Sequence, residues 1–186
     1  MSIIEFKNVT KAFDEITVLD SINYSFEEGS VTSIIGPSGS GKSTILKAIS
    51  NVIKYQGTIN CEESVSYMSE VISLPKGIIL KDFLKIFIRN EQERMESVKL
   101  IHNFKLENKL QSDLSDLSKG MTMKVNLIIS LMIDKELYVL DEPLSGLDKE
   151  GIIELKKYIK NSKKSFLISS HITHEFSSLA DLEVVL

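Results

Sequence analysis

The run Gly36-Pro37-Ser38-Gly39-Ser40-Gly41-Lys42-Ser43-Thr44 follows the pattern G-x-x-x-x-G-K-S, an order of residue types suited to holding a polyphosphate. The glycines allow a tight curl in which successive backbone N–H groups point inward at phosphate oxygens. Lys42 brings a compact positive charge to the outer phosphates, and the Ser43 hydroxyl can ligate Mg²⁺. A second constellation is Leu137-Tyr138-Val139-Leu140-Asp141-Glu142, an apolar stretch that ends in two acids. An acid at the tip of a buried strand faces the crevice where α/β sheets bind ligands. Asp141 can therefore sit beside an ion held by Ser43, with Glu142 placed to polarise a water attacking a γ-phosphate. Taken alone, the acid pair also reads as the start of a loop before Pro143. Third, Leu117-Ser118-Lys119-Gly120-Met121 places Gly120 21 positions ahead of Asp141. Its serine and glycine open a helix whose N-terminus can take an anion, and by itself Ser118 reads as a helix cap.

These groups need a frame. Ser30–Ile35 is a β-branched run typical of a buried strand, and a helix over 44–53 follows the Gly-rich loop, in the order strand, loop, helix. Residues 3–9, 16–26, 57–61, 65–68, 137–141, 165–170 and 182–186 read as further strands. Between residues 81 and 110 the period becomes helical. Phe83, Ile86 and Phe87 form one apolar face, and Met95, Val98 and Ile101 a second. A helix over 120–133 carries Val125, Ile128, Ile129 and Met132 on one face. Helices are also expected over 149–160 and, in short form, over 173–179. Strands alternating with helices imply a mainly parallel α/β sheet.

A chain of 186 residues suits one domain with a small inserted lobe. Its 42% hydrophobic and 26% charged residues are ordinary for a soluble protein. The net charge of −4 argues against a nucleic-acid partner held by phosphate neutralisation. Cys61 is the single cysteine, so no intrachain disulfide can form. Met1–Lys7 carries an acid and a lysine where a signal peptide needs an apolar run. The longest apolar stretches, near 78–88 and 125–133, are too short and interrupted to span a bilayer.

Gly36–Thr44, Leu117–Met121, Leu137–Glu142, Ser145-Gly146-Leu147-Asp148 and His171 stand in the order of an ATP-binding cassette ATPase, the nucleotide-binding domain of ABC transporters. They resemble its Walker A loop, signature, Walker B strand, D-loop and switch histidine, and the resemblance covers essentially the whole chain. It implies a P-loop NTPase with an N-terminal antiparallel β subdomain, a core of 1–70 and 118–186, and a helical lobe of about 77–112. The implied activity is ATP hydrolysis with Mg²⁺, coupled to transport. The implied assembly is a homodimer, or a heterodimer with a similar ATPase. It sandwiches nucleotide between one subunit's phosphate loop and the other's signature, and it sits on the inner face of the cell membrane through a separate transmembrane permease. Phe13 resembles the aromatic residue that stacks on adenine, against the alternative of a core phenylalanine. His171 resembles the residue that contacts the γ-phosphate and holds the attacking water. Asp148 resembles a residue reporting across the dimer, against or alongside a role as the cap of the next helix. His102 and His174 read as surface residues. The L-S-K-G-M form resembles signatures of export-type systems. The rival reading is a cytosolic ATPase of the same type acting on a macromolecule, and a generic P-loop kinase or GTPase leaves the signature and His171 unexplained.

Two departures from the family pattern stand out. Glu70 occupies the position of a usual glutamine that brings a carbonyl to Mg²⁺, unless Ser69 is the matching residue. The sequence ends at Leu186, soon after His171, where family members continue with further strands and helices; the catalytic parts are expected to be complete without them.

Overall fold

A computed structural model of the chain describes residues 1–61, 63–172 and 175–186. These form two compact units, the first of Met1–Tyr67, Lys135–Glu142 and Ser162–Leu186, the second of Met68–Asp134 and Pro143–Asn161.

The first unit opens with a long hairpin, β1 (Ser2–Phe13) and β2 (Ile16–Glu27). A two-residue turn joins them, in which Asp14 takes a left-handed φ of 51°, as tight hairpins require and aspartate tolerates. After β3 (Val31–Ile35) and α1 (Lys42–Ile49), β4 (Gln56–Asn60) pairs with β1 to complete a three-stranded antiparallel sheet in the order β2-β1-β4. Gly57 has φ 89°, and a Cβ there would lie 2.3 Å from the Asn8 carbonyl oxygen, so only glycine lets β4 approach β1 this closely. The second sheet is built from β5 (Val65–Met68), β6 (Leu137–Leu140), β7 (Ser165–Ser170), β3 and β8 (Leu182–Val185), in the order β5-β6-β7-β3-β8. The pairs β6–β7, β7–β3 and β3–β8 are parallel. Every residue of β6 and β7 is buried, which is why both read as continuous apolar or small-residue runs rather than alternating ones. Ile4, Phe6, Val9 and Leu19 of the antiparallel sheet pack with Ile34, Ile45, Leu46, Val139 and Leu167 in one core.

The second unit is helical: α2 (Leu80–Lys85), α3 (Glu91–Asn103), α4 (Lys119–Met132) and α5 (Lys149–Asn161), with 3₁₀ turns at Glu107–Lys109 and Leu114–Asp116. Asn90 caps α3 by accepting the Glu93 N–H at 2.8 Å, while the Glu93 carboxylate folds back to accept the Arg89 N–H at 2.8 Å and its guanidinium at 2.6 Å. The reciprocal cap satisfies a carboxylate that is almost wholly buried. In α4, Asn126 Nδ2 donates to the Ser69 carbonyl at 2.7 Å, so this helix is fastened to the segment just before Glu70.

The mainly parallel α/β reading therefore holds, with a separate antiparallel sheet at the N-terminus. Three local expectations are corrected. The helix placed at 44–53 starts two residues earlier and ends at Ile49. Ile101 is buried as expected, but Ile86, Met95 and Val98 are exposed rather than core-facing, and Leu80, Leu84 and Leu100 are buried in addition. Residues 177–179 form a turn instead of a helix, in which the N–H groups of Leu179 and Ala180 both donate to the Phe176 carbonyl at 2.7 Å. Phe176 is buried at this turn. The beginning of that expected helix, Thr173 and His174, lies outside the described residues.

Candidate functional site

The site in the first unit is assembled at the C-terminal ends of the parallel strands β3, β6 and β7. The loop 36–41 leaves β3 and enters α1. Gly41, the residue before the helix, has φ 102°, and a Cβ on it would lie 3.2 Å from Val18 Cγ1. A side chain here would be strained by its backbone and crowded by β2. No side chain caps α1 and no acid lies in its first turn. Its free N–H groups and positive dipole end are thus left for an anion.

Lys42 is only 5% exposed. Its Nζ donates to the carbonyls of Gly36 at 2.7 Å and Pro37 at 3.1 Å. It also stands 3.6 Å from Glu142 Oε1 and 3.3 Å from His171 Nδ1. His171 Nδ1 is 3.2 Å from Glu142 Oε1. That oxygen is buried without a hydrogen-bond partner, so these approaches to it are electrostatic contacts rather than satisfied bonds. Burial pushes the Glu142 carboxyl above the usual carboxylate range, against the opposing charges of His171 and Lys42. A carboxylate made more basic in this way suits proton abstraction near neutral pH.

Ser43 Oγ donates to Asp141 Oδ1 at 3.0 Å. The loop helix and the acid strand therefore meet at one carboxylate, as their residue types led us to expect. A residue outside the sequence motifs joins them: Ser169 Oγ of β7 donates to the same Asp141 oxygen at 2.7 Å and accepts the Glu142 N–H at 2.8 Å. Glu142 has a left-handed φ of 49°, a conformation that costs a non-glycine residue of order 1–3 kcal/mol. The signal that could have found Ser169 is register: Leu140 pairs with Ile168, so the next residues, Asp141 and Ser169, are neighbours.

Mg²⁺ fits this arrangement. Ser43 and Asp141 offer hard oxygen donors in contact with each other. Among the described residues no cluster of three or more His, Cys, Asp or Glu forms an all-protein cage. Mg²⁺ is usually held in this sparse way, by one or two protein oxygens together with phosphate and water.

Of the remaining predicted residues in this unit, Pro37, Ser38 and Gly39 are exposed on the loop, and Ser40 and Thr44 are half-buried. Phe13 lies at the hairpin tip, 46% exposed, with Lys11 Nζ 4.6 Å from its ring centroid. It is thus not a core phenylalanine, and its ring has an accessible face.

In the second unit, Ser118 caps α4 by accepting the Met121 N–H at 3.3 Å. Leu117 and Met121 are half-buried, and Ser118 and Lys119 are exposed. A Cβ on Gly120 would lie 2.9 Å from the Gly146 carbonyl oxygen, so the signature glycine packs directly on the D-loop backbone. Asp148 accepts the Gly151 N–H at 2.8 Å, capping α5, and pairs with Lys124 Nζ at 2.8 Å. Both contacts hold its carboxyl below the ordinary range, Lys124 contributing most. Lys124, which the motif reading passed over, thereby ties the signature helix to the D-loop. Glu70 is an exposed residue of this unit.

Comparison with known proteins gives the family. A family model described as ABC transporter matches residues 19–145. A lantibiotic transport ATP-binding protein of Streptococcus pyogenes is 30% identical, the match covering 96% of this chain and 84% of that protein. A zinc import ATP-binding protein of Vibrio vulnificus is 32% identical over 89% of this chain and 64% of its own length. A solved ATP-binding subunit of an ABC transporter superposes with a TM-score of 0.91 at 25% identity, covering 100% of this chain and 86% of that one. No helix among the described residues is long and apolar enough to cross a membrane. With a phosphate loop, an acid-tipped strand and a histidine converging in one sheet, the chain belongs to the ABC transporter family, as an ATP-binding, ATP-hydrolysing subunit of a transport system that works with separate membrane permease subunits.

Proposed function

We propose that this subunit hydrolyses ATP at a site closed by a second ATPase subunit, identical or similar, and that it powers export. The observation that carries the hydrolytic part is the convergence of Lys42, Ser43, Asp141, Glu142 and His171 around one buried carboxylate pair. Backbone N–H groups of the glycine-rich loop and of the α1 N-terminus, together with the Lys42 ammonium, bind the phosphates. On nucleotide binding, Lys42 exchanges its bonds to the Gly36 and Pro37 carbonyls for bonds to phosphate oxygens. Ser43 and Asp141 would hold Mg²⁺, which would neutralise charge on the phosphate oxygens. Glu142, kept basic by burial, orients the attacking water and takes its proton, and His171 steadies that water from the exposed side. Phe13 offers its open face to adenine.

The exposed N-terminus of α4 at Ser118–Met121 is the surface that receives the phosphates of the opposing subunit's nucleotide, with Asp148 at the same junction. We read 1–70 and 118–186 as the catalytic core and 77–112 as the lobe that meets the permease, with Glu70 as a metal-side residue of the connection between them. Through the permease the subunit lies on the cytoplasmic face of the membrane. Export is supported by the L-S-K-G-M signature and by the lantibiotic transport relative; the zinc import relative favours the opposite direction. In inside-out vesicles carrying the permease, external ATP should draw cargo inward for an exporter and expel it for an importer.

Glu142→Gln tests the hydrolytic site. It should retain ATP, lose turnover by roughly 100-fold or more, and run as a dimer in light scattering with ATP. A monomer under those conditions refutes the closed two-subunit site.

A further inference from the structure

We infer that Ser169 is a positioning residue for ATP hydrolysis, its hydroxyl fixing Asp141 and Glu142 relative to each other. The inference rests on the proposed roles of those two acids and extends them to a residue on a neighbouring strand.

The geometry determines which way the hydroxyl points. A serine hydroxyl has one hydrogen to donate and lone pairs to accept. An ionised aspartate can only accept, and a backbone N–H can only donate. The Ser169 hydrogen must therefore go to Asp141 Oδ1, at 2.7 Å, and its lone pair must take the Glu142 N–H, at 2.8 Å. One oxygen thus links the carboxylate of one acid to the backbone of the next, and no rotation of the hydroxyl serves both partners differently. Ser169 is wholly buried on a fully buried strand, paired through β7 with β3 on one side and β6 on the other. The hydroxyl is therefore held on an interior strand of the sheet, paired on both sides.

A comparison within the same sheet shows that the feature is specific. Ser33 of β3 is equally buried, yet its Oγ has no hydrogen-bond partner. A buried serine in this sheet can be present simply for its small size; Ser169 differs in having both bonds made, and both to the acid pair.

Glu142 needs such a restraint. Its left-handed backbone, φ 49°, is unfavourable for a glutamate. Without the bond to its N–H, the peptide can relax and swing the carboxylate away from Lys42 and His171. Asp141 would lose one of its two hydroxyl donors, leaving Ser43 alone to orient it. Small displacements of a reacting group are costly, about 100-fold for roughly 1 Å. The phosphate loop makes no bond to Ser169, so nucleotide affinity should be spared.

The test compares Ser169→Ala, Ser169→Thr and Glu142→Gln in the full-length chain. For Ser169→Ala we expect kcat to fall about 10- to 100-fold, with the KM for ATP and the affinity for a fluorescent ATP analogue without Mg²⁺ each within about twofold of wild type. The additional affinity for that analogue on adding Mg²⁺ should shrink, giving a readout independent of turnover. Ser169→Thr, which keeps the hydroxyl on a strand-compatible residue, should recover kcat to within a few-fold. Wild-type kcat in Ser169→Ala, or a loss that falls wholly on KM, overturns the inference while an inactive Glu142→Gln leaves the reading of Glu142 standing. Wild-type turnover in Glu142→Gln overturns that reading, and the positioning role with it. Should Ser169→Ala melt too low to assay, Ser169→Thr carries the decision: near wild-type turnover with a matching Mg²⁺ response supports the role, and a loss of turnover with its hydroxyl in place overturns it.

Discussion

Lys42 and Glu142 are 5% and 7% exposed at their side chains and lie 3.6 Å apart, so removing the Lys42 charge strands Glu142. Lys42→Met keeps the aliphatic stem but deletes the ammonium, leaving Glu142 a buried carboxylate with only half-exposed His171 nearby. Breaking one side of a buried pair costs about 3–5 kcal/mol. Here part of that is returned, because the burial-raised Glu142 carboxyl can take a proton. A net loss of about 2–4 kcal/mol is expected for nucleotide-free protein, or roughly 5–15 °C in Tm for a chain of this size. Glu142→Gln removes the charge at constant shape and leaves Lys42 bonded to the Gly36 and Pro37 carbonyls. The double substitution leaves no stranded charge. It should therefore be more stable than the sum of the single effects by about 1–3 kcal/mol, the range of coupling between contacting groups. The assay is a double-mutant cycle by urea unfolding without nucleotide at pH 7.5. Additivity within about 0.5 kcal/mol would refute the claim that these two residues share one electrostatic site.

Gly120→Ala brings a Cβ to 2.9 Å from the Gly146 carbonyl oxygen, a backbone atom that cannot simply rotate away. The overpacking should cost about 1–3 kcal/mol in urea unfolding and reduce turnover; an unchanged midpoint would show that the D-loop yields freely. The Asp148 carboxyl is held low by Lys124 and the Gly151 N–H. A depressed folded pKa means its ionised form stabilises the fold above the ordinary aspartate range, and that contribution is lost as pH falls through the folded value. The Tm gap between wild type and Asp148→Asn should accordingly be widest near neutrality and close in acid; a gap independent of pH would count against the ion pair. Phe13→Ala should weaken ATP binding about 5- to 30-fold, since stacking on a base is worth roughly 1–2 kcal/mol, without moving Tm, because the ring is already exposed. An unaltered Kd would remove Phe13 from the site.

The sequence was most legible where one rule dominates. Strands 65–68 and 165–170 were read with their observed bounds because β-branched and small residues there are bracketed by polar turns. The phosphate loop was legible because its glycines answer to backbone geometry, which no tertiary contact can replace. Helix faces were not legible in α3. Hydrophobicity pointed to Met95, Val98 and Ile101, but of these only Ile101 is on the packed side, which it shares with Leu100, Glu93 and Ser97. A carboxylate can be buried there only because Arg89 supplies both a guanidinium and an N–H, a pairing invisible to periodicity. The segment after β7 reads as helix in sequence, whereas residues 177–179 form a turn beside the buried Phe176. Ser169 carries no motif at all, since its role comes from strand register, which only the assembled sheet reveals.

The fastening of α4 to the Ser69 carbonyl has a mechanical consequence. Asn126 and Ser118 are eight positions apart on or at the edge of one continuous helix, a span of about 12 Å at 1.5 Å per residue. Were it to turn as a rigid rod about Asn126, the Gly120–Gly146 packing and the Lys124–Asp148 pair would have to move with it. A tilt of about 10° at the pivot carries the Ser118 end through about 2 Å, more than the tolerance of a hydrogen bond. A reorientation of the segment before Glu70 that drew Asn126 with it would thus be felt about a dozen ångströms away, at the helix start.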